Sequence, residues 1–181
     1  NALDAQTTPN GNTALGYSTL SSVVDTNFHT AVGFSALNSN TSGTNNTAVG
    51  GYSSYSNTTG GANTSLGYSS LRLNTTGDYN TAVGGNSMQS NNGGNYNVAV
   101  GRQSMYANTT GSENVAIGYD ALLANTTGSH NTAVGHDAGK GITTGSYNTC
   151  LGRDAGQSIT TGSNNLCLGE NANDAGNTTG V

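Results

Sequence analysis

Three aspartates have the spacing that most suggests metal chemistry in this chain. Asp120, Asp137 and Asp154 are each separated by 17 residues. If the structure repeats with that period, their carboxylates lie about 4.8 Å apart in one column. A hard cation such as Ca²⁺ could bridge them. We expect instead that each carboxylate hydrogen-bonds its own turn, as a serine would at the same position, and the bridging cation stays open as an alternative.

Two cysteines, Cys150 and Cys167, are also 17 residues apart. Stacking would bring their Cα atoms within disulfide range, but parallel Cα–Cβ directions disfavour the bond. We expect two buried thiols that substitute for alanine, outside any metal-ligand spacing. Residues 135–145 (GHDAGKGITTG) resemble a phosphate loop, but they lack the four residues required between its first glycine and the Gly-Lys-Ser/Thr.

Catalytic residue patterns are absent from the sequence. The three histidines, His29, His130 and His136, fall at different positions of the 17-residue period, and no Ser/His/Asp or paired-carboxylate arrangement emerges. We therefore predict no enzyme activity, no cofactor and no bound metal. A carbohydrate-cleaving solenoid is the enzymatic alternative, and release of reducing sugar from a polysaccharide would test it.

Four aromatic residues could contact a ligand. Tyr17, Phe34, Tyr68 and Tyr119 each follow a glycine that closes a repeat. Exposed rings can stack on sugar rings, which would suit contact with a glycan. The alternative is that they shield the edges of the structure or pack between chains.

Composition excludes several classes of protein. Of the 181 residues only 7% are charged, against about 25% in ordinary globular domains. The net charge of −5, with four basic residues, argues against binding a nucleic acid backbone. No apolar run approaches the roughly 18 residues of a membrane span, and no stretch has the pattern of a helical bundle.

The elements that position these residues come from an internal repeat. The motif N-T-A-V-G and its variants recur every 17 residues, without insertion or deletion, and end at these glycines: Gly16, Gly33, Gly50, Gly67, Gly84, Gly101, Gly118, Gly135, Gly152 and Gly169. A unit this short suits one coil of a parallel β-solenoid with two short strands and two turns. We predict an all-β fold, in which residues 1–181 form a single solenoid of about ten coils. It is expected to be a fragment of a longer fibre.

Two columns of the repeat are assigned to faces. The residue before each closing glycine is always Val, Leu or Ile, and we predict that it points into the coil. The residue before that is small and by alternation lies on the opposite face. Because it is never charged, we predict that this column packs against a neighbouring chain: Ala31, Ala48, Ala82, Ala99, Ala116, Ala133, Cys150 and Cys167. The alternative is alanine merely tolerated on a crowded surface.

Asparagine and aliphatic columns indicate an ordered core. Asparagine precedes nearly every strand, which predicts a ladder of stacked amides, with His29 as the exception. Where Leu becomes Gly139 or Gly156, the asparagine three residues later becomes Ile142 or Ile159. This exchange conserves the apolar volume of the coil, as a packed core requires.

Repeats of the form N-T-A-V-G-x-x-A-L-x-x-N-T-T-G resemble those of bacteriophage tail fibres and related virion appendages. They are also similar to the head repeats of trimeric autotransporter adhesins, whose S-V-A-I-G motif is matched best by N-V-A-I-G at residues 114–118. The resemblance implies a homotrimer, a place on a virion or cell surface, and attachment to a host glycan or protein receptor.

The functional expectation is therefore a structural and adhesive fibre shaft, with a bacterial trimeric adhesin head as the nearest alternative. An ice-binding solenoid is the alternative of another class, suggested by one column of threonines: Thr58, Thr75, Thr109, Thr126, Thr143 and Thr160.

Overall fold

The computed structural model describes Ala2, residues 11–22 and residues 28–172, and the rest of the predicted 1–181 segment lies outside these residues. Ten strands of three residues pair in chain order within one sheet. Their bounds are β1 (Thr13–Leu15), β2 (Thr30–Val32), β3 (Thr47–Val49), β4 (Thr64–Leu66), β5 (Thr81–Val83), β6 (Val98–Val100), β7 (Val115–Ile117), β8 (Thr132–Val134), β9 (Thr149–Leu151) and β10 (Leu166–Leu168).

Every pair of neighbouring strands is parallel with the same register. Thr13 is opposite Thr30 at one end of the sheet, and Thr149 is opposite Leu166 at the other. Each partner is thus the equivalent residue of the next repeat, so one repeat makes one coil. The predicted all-β solenoid with 17-residue coils is confirmed for the described residues. No helix suited to crossing a membrane occurs among them.

The second strand predicted for each coil is wrong. The segment after the closing glycine is a turn in which alternate residues have left-handed backbone angles, as at Ser35 (φ 52°) and Leu37 (φ 49°). Left-handed residues prevent the extension that a strand needs, so the chain curves here. Its backbone still bonds to the next coil, since the Leu37 N–H donates to the Ser53 carbonyl at 2.9 Å.

The structure reverses the predicted facing of the strand columns. The small residues of the middle strand position are buried inside their own coil, with exposures of 0–3%: Ala31, Ala48, Ala82, Ala99, Ala116, Ala133, Cys150 and Cys167. The branched column predicted inside lies outside, as the 47% exposure of Leu66 shows. Alternation separates two faces correctly but does not say which is inside. The predicted packing of the alanine column against a neighbouring chain is therefore wrong.

Small residues fit inside because the opposite wall of the coil supplies one large side chain. In most coils this is a fully buried leucine or methionine from the turn, such as Leu71 or Met105. In the last coils Ile142 replaces it, and a Cβ added at Gly139 would lie only 3.2 Å from the Ile142 Cδ1. The predicted exchange of apolar volume is confirmed.

Two asparagine ladders complete the core. The predicted one precedes the strands, where Asn46 Oδ1 accepts from the Asn63 N–H (2.9 Å) and Asn46 Nδ2 donates to the Gly60 carbonyl (2.8 Å). The other lies in the turn, and each of its amides donates to the preceding one, as Asn57 Nδ2 does to Asn40 Oδ1 at 2.8 Å. The interior is therefore largely polar, and its hydrogen bonds fix the register between coils.

Candidate interaction surface

The outward side chains of the ten strands form one continuous surface, which we call the strand face. Its first column is threonine in most coils: Thr13, Thr30, Thr47, Thr64, Thr81, Val98, Val115, Thr132, Thr149 and Leu166. Its second column is aliphatic throughout: Leu15, Val32, Val49, Leu66, Val83, Val100, Ile117, Val134, Leu151 and Leu168. None of these strands contains a charged residue.

The strand face is large for a surface open to water. Its aliphatic column includes Leu15 at 67% exposure and Leu168 at 58%. Ten strands at about 4.8 Å spacing make it about 43 Å long. Soluble monomers rarely expose contiguous apolar patches of more than a few hundred Å², and larger patches mark interaction sites.

Aromatic residues cluster beside the strand face in the first coils. We call this group the aromatic patch: Tyr17, Phe34, Tyr52, Tyr55 and Tyr68. Tyr17 stacks on Phe34 with ring centroids 5.4 Å apart, and Tyr52 meets Phe34, Tyr55 and Tyr68 edge-on at 5.3, 5.7 and 6.1 Å. The structure therefore brings three of the four predicted aromatic residues together.

Sequence reasoning missed Tyr52 and Tyr55. Gly51 occupies the aromatic position of that repeat, so Tyr52 stands one residue out of register. It nevertheless continues the stack, and the Arg72 guanidinium lies 5.4 Å above its ring. Scanning for aromatic residues within one position of the column would have found it.

The fourth predicted residue, Tyr119, belongs to a different cluster. Its hydroxyl accepts a hydrogen bond from Arg102 Nη1 at 3.0 Å, and its ring stacks on His136 with a centroid distance of 5.1 Å. The ring is 40% exposed. It is therefore separate from the aromatic patch.

A second aromatic column precedes the strands. Tyr79 stacks on Tyr96 (4.9 Å) and His130 stacks on Tyr147 (4.6 Å). Glu113 lies between the two stacks, and its Oε2 is 3.3 Å from His130 Nδ1. Because one aromatic column precedes each strand and the other follows it, rings flank the strand face on both sides.

The three aspartates do share a column, but side chains rather than backbone neutralise them. Lys140 Nζ lies 3.2 Å from Asp120 Oδ2 and 3.0 Å from Asp137 Oδ1, and these contacts, led by the Asp137 hydrogen bond, raise the pKa of Lys140. Asp154 Oδ2 is 3.3 Å from Arg153 Nε. An ammonium group therefore stands where the bridging cation of the sequence hypothesis would bind between Asp120 and Asp137.

The two cysteines are free and buried, as expected for substitutes of alanine. Burial, reinforced by the neighbouring Cys167, raises the pKa of Cys150 to about 12, so the thiol stays protonated at neutral pH. A Cβ at Gly156 would collide with the Cys150 sulfur, so the larger thiol fills the space that this glycine leaves. Residues 135–145 form part of an ordinary coil, and their Lys140 is held by the two aspartates.

These features define the molecule as a parallel β-solenoid with an uncharged, outward strand face and two aromatic borders. Comparisons of the chain with protein-family models, with curated proteins and with solved structures found no match.

Proposed function

We propose that this chain is a structural and adhesive segment of a fibre, a homotrimer whose copies pack through their strand faces. The resemblance of the repeats to tail-fibre and adhesin sequences supports a location on a virion or a cell surface. The observation that carries the proposal is the exposed aliphatic column of the strand face, of which Leu66 and Ile117 are members.

A second copy of the same chain is the occupant that suits this face. Its strand face has the same rise per coil, so side chains of two copies can interdigitate along their whole length. With about 43 Å of length and about 10 Å of width for strands of three residues, each face offers roughly 430 Å². This is about half of the ~800 Å² per partner of stable interfaces, so the side chains that flank the strands must contribute to the contact. The absence of charge from the face avoids repulsion between identical copies.

Packing between copies also supplies apolar burial that the coil lacks. Most interiors hold one large aliphatic side chain with small residues and amides, and one coil has the buried Ser54 at that position. Burying one branched side chain contributes about 1.5–3 kcal/mol, so covering the aliphatic column would roughly double the apolar contribution of each coil. This supports an oligomer whose association adds to the stability of the folded coil.

The aromatic patch supports the adhesive part of the proposal. Tyr17 and Tyr68 keep 66% and 61% of their surface exposed although they lie in a ring stack. Rings held this way lose little side-chain entropy on binding, which favours contact with the apolar faces of sugar rings on a host glycan.

Charge placed on the strand face tests the assembly. The double variant Leu66→Lys/Ile117→Lys puts two lysines on exposed positions three coils apart, so the coil itself should fold. We expect a trimer for the wild type in sedimentation equilibrium and a monomer with an unchanged circular dichroism spectrum for the variant. The matched control is Thr59→Lys/Thr110→Lys, which adds the same charge at the same spacing on exposed turns and should stay trimeric.

The outcome that contradicts the proposal is a folded wild-type monomer at micromolar concentration. Equal dissociation of both lysine variants would also contradict it, because the effect would then come from net charge and not from the strand face.

Adhesion has its own test. Binding to a host-glycan array should be lost in Tyr17→Ala/Tyr68→Ala and kept in Tyr79→Ala/Tyr147→Ala, which removes two rings from the other border. Equal binding by both variants would contradict a role for the aromatic patch while leaving the fibre assembly intact.

Ice binding is a second candidate, favoured by one observation. The strand face sets a threonine column beside an aliphatic column with one inward residue between them, on a regular parallel sheet. The threonine column considered from sequence is less suitable, because hydroxyls such as Thr58 Oγ1 and Thr126 Oγ1 donate to carbonyls of the next coil. Thermal hysteresis by a monomeric chain would favour this function over the fibre.

A further inference from the structure

A group of potential metal ligands lies at one corner of the last coils. His136, Asp137 and Asp154 each offer one donor atom, and these atoms all lie within 4.8 Å of one another. The two carboxylate side chains are 14% and 12% exposed, while the imidazole is 51% exposed. The group is thus anchored in the coil and open to solvent on the histidine side.

Around this group four carboxylates share two cationic side chains. Asp120, one coil below Asp137, has a side chain only 9% exposed, and its Oδ1 is buried without a hydrogen-bond partner. Lys140 is shared between Asp120 and Asp137, and Arg153 is shared between Asp154 and Glu170. A buried carboxylate oxygen without a donor raises the free energy of the fold, so added positive charge nearby is stabilising.

The repeat itself does not require these residues. The equivalent pair in an earlier coil is Tyr68 and Ser69, and Ser69 adopts nearly the same left-handed angle (φ 55°) as Asp137 (φ 57°). The same turn therefore forms with an uncharged side chain, so turn geometry does not account for the ligand set.

We propose that His136, Asp137 and Asp154 bind a divalent transition-metal ion, for which Zn²⁺ is the best fit. One imidazole and two carboxylates suit Zn²⁺, which takes three protein ligands and water at about 2.0–2.2 Å. Such bonds place donors about 3.4 Å apart, within reach of small side-chain rotations. Ca²⁺ fits less well, because it prefers six to eight oxygen ligands (about 2.4 Å away).

The bound ion would join two consecutive coils, since Asp137 and Asp154 belong to neighbouring repeats. It would therefore stabilise the fold against unfolding in proportion to its occupancy. This inference is independent of the fibre proposal, because none of the three ligands belongs to the strand face or to the aromatic patch.

The test is calorimetric titration of Zn²⁺ into the untagged, chelator-treated chain at pH 7.5. We expect one Zn²⁺ per chain and a rise in melting temperature. His136→Asn and, separately, Asp154→Asn should each weaken binding by about tenfold or more. His130→Asn is the matched control, since His130 has one carboxylate partner, Glu113, and should leave the affinity unchanged.

Any one of four results would overturn the proposal. The first two are the absence of binding up to about 1 mM Zn²⁺ and equal affinity of wild type and His136→Asn for Zn²⁺. The other two are loss of Zn²⁺ binding in His130→Asn and binding of Ca²⁺ in place of Zn²⁺. Because His136 is half exposed, its variant should fold, and circular dichroism verifies this.

Discussion

The coils up to Asn125 and the coils of Ile142 and Ile159 fill the same interior space with different side chains. In the earlier coils, except the one with Ser54, a buried amide and a buried leucine or methionine share the interior, as Asn91 and Met88 do. In the last coils both positions change together, to isoleucine and glycine. The strands keep one register across the change, with Ala133 opposite Cys150 as Ala99 is opposite Ala116.

The junction between the two regions has an identifiable defect. Each ladder amide donates to the one before it, and Asn125 donates to Asn108 Oδ1 at 2.9 Å. Ile142 cannot donate to Asn125, whose Oδ1 is buried without a partner. A polar ladder can therefore end inside a solenoid, but it ends on one unsatisfied acceptor. The two regions differ in interior chemistry while the backbone stays the same.

Removing one ladder amide from the middle of the earlier coils should cause the largest loss in the free energy of unfolding. Asn91 Nδ2 donates to Asn74 Oδ1 (2.8 Å) and to the Gly94 carbonyl (3.1 Å), and Asn91 Oδ1 accepts from Asn108 Nδ2 (2.7 Å). Asn91→Ala leaves the buried Asn74 Oδ1 without a donor and removes one of the two side-chain hydrogen bonds of Asn108 Nδ2 and of the Gly94 carbonyl. It should cost about 3 kcal/mol. The exposed neighbour variant Asn92→Ala should cost about 0.5 kcal/mol or less. Denaturant unfolding at one fixed chain concentration measures both, and similar losses would contradict a ladder that stabilises the core.

The Gly139 and Ile142 pair of the last coils can be replaced by the leucine and asparagine pair of the earlier coils, which tests whether the two interiors are interchangeable. Gly139→Leu alone overfills the coil against Ile142, and Ile142→Asn alone leaves a cavity, so each should cost about 2 kcal/mol. The double variant restores the earlier pattern and gives Asn125 Oδ1 its missing donor, so we expect it to be at least as stable as the wild type. Additive losses in this double-mutant cycle would show that the two positions do not compensate each other.

The glycine that closes each strand is shared by both regions. Gly84 has φ 130°, and an added Cβ would lie 2.5 Å from the Gly101 carbonyl oxygen of the next coil. Gly84→Ala should therefore cost about 1.5 kcal/mol or more. Gly85→Ala is the control, because a Cβ there meets nothing within 4 Å. Equal melting temperatures of the two variants would contradict the close approach of consecutive coils.

His29 provides a pH-dependent break in the first ladder. Its Nδ1 accepts from the Asn46 N–H at 3.2 Å, and the ring also bonds the Gly43 carbonyl. The imidazole thus makes the contacts that an asparagine makes elsewhere, such as Asn46 with Asn63 and Gly60. Asn40 Nδ2, which lies 3.2 Å from His29 Nε2, belongs to an uncharged side chain, as does Asn12, whose Oδ1 accepts from the His29 backbone N–H.

Burial lowers the pKa of His29 below its ordinary value of 6.5, so the folded chain holds the neutral ring. Its stabilising contribution is complete above pH 6.5 and is lost as the pH falls from there towards the lowered pKa of the folded state. His29→Asn should remove this dependence. The fall in melting temperature from pH 7.5 to pH 5.0 should therefore be smaller for the variant than for the wild type. An equal fall in both proteins would contradict the assignment.

Much of the fold could be predicted from sequence because every repeat constrains it independently. The period of the N-T-A-V-G motif fixes the coil length, and the exchange of Leu for Gly139 with Ile142 reports a packed interior. The facing of the strand columns could not be predicted, because hydrophobicity places both valine and alanine inside, whereas the narrow coil has room only for the smaller one. The ring cluster around Tyr52 and the Lys140 bridge could not be predicted either, because they depend on the positions of side chains from different repeats.

Covalent capture of single cysteines tests the facing of the strand columns most directly. In a Cys150→Ala/Cys167→Ala background, Ala99→Cys and Val100→Cys place one thiol each at adjacent positions of β6. With a short bis-maleimide we predict that Val100→Cys links pairs of chains into covalent dimers, whereas Ala99→Cys stays unreacted until the protein is denatured. Linkage through residue 99 with protection of residue 100 would contradict the assignment of the alanines to the interior and of the strand face to contacts between chains.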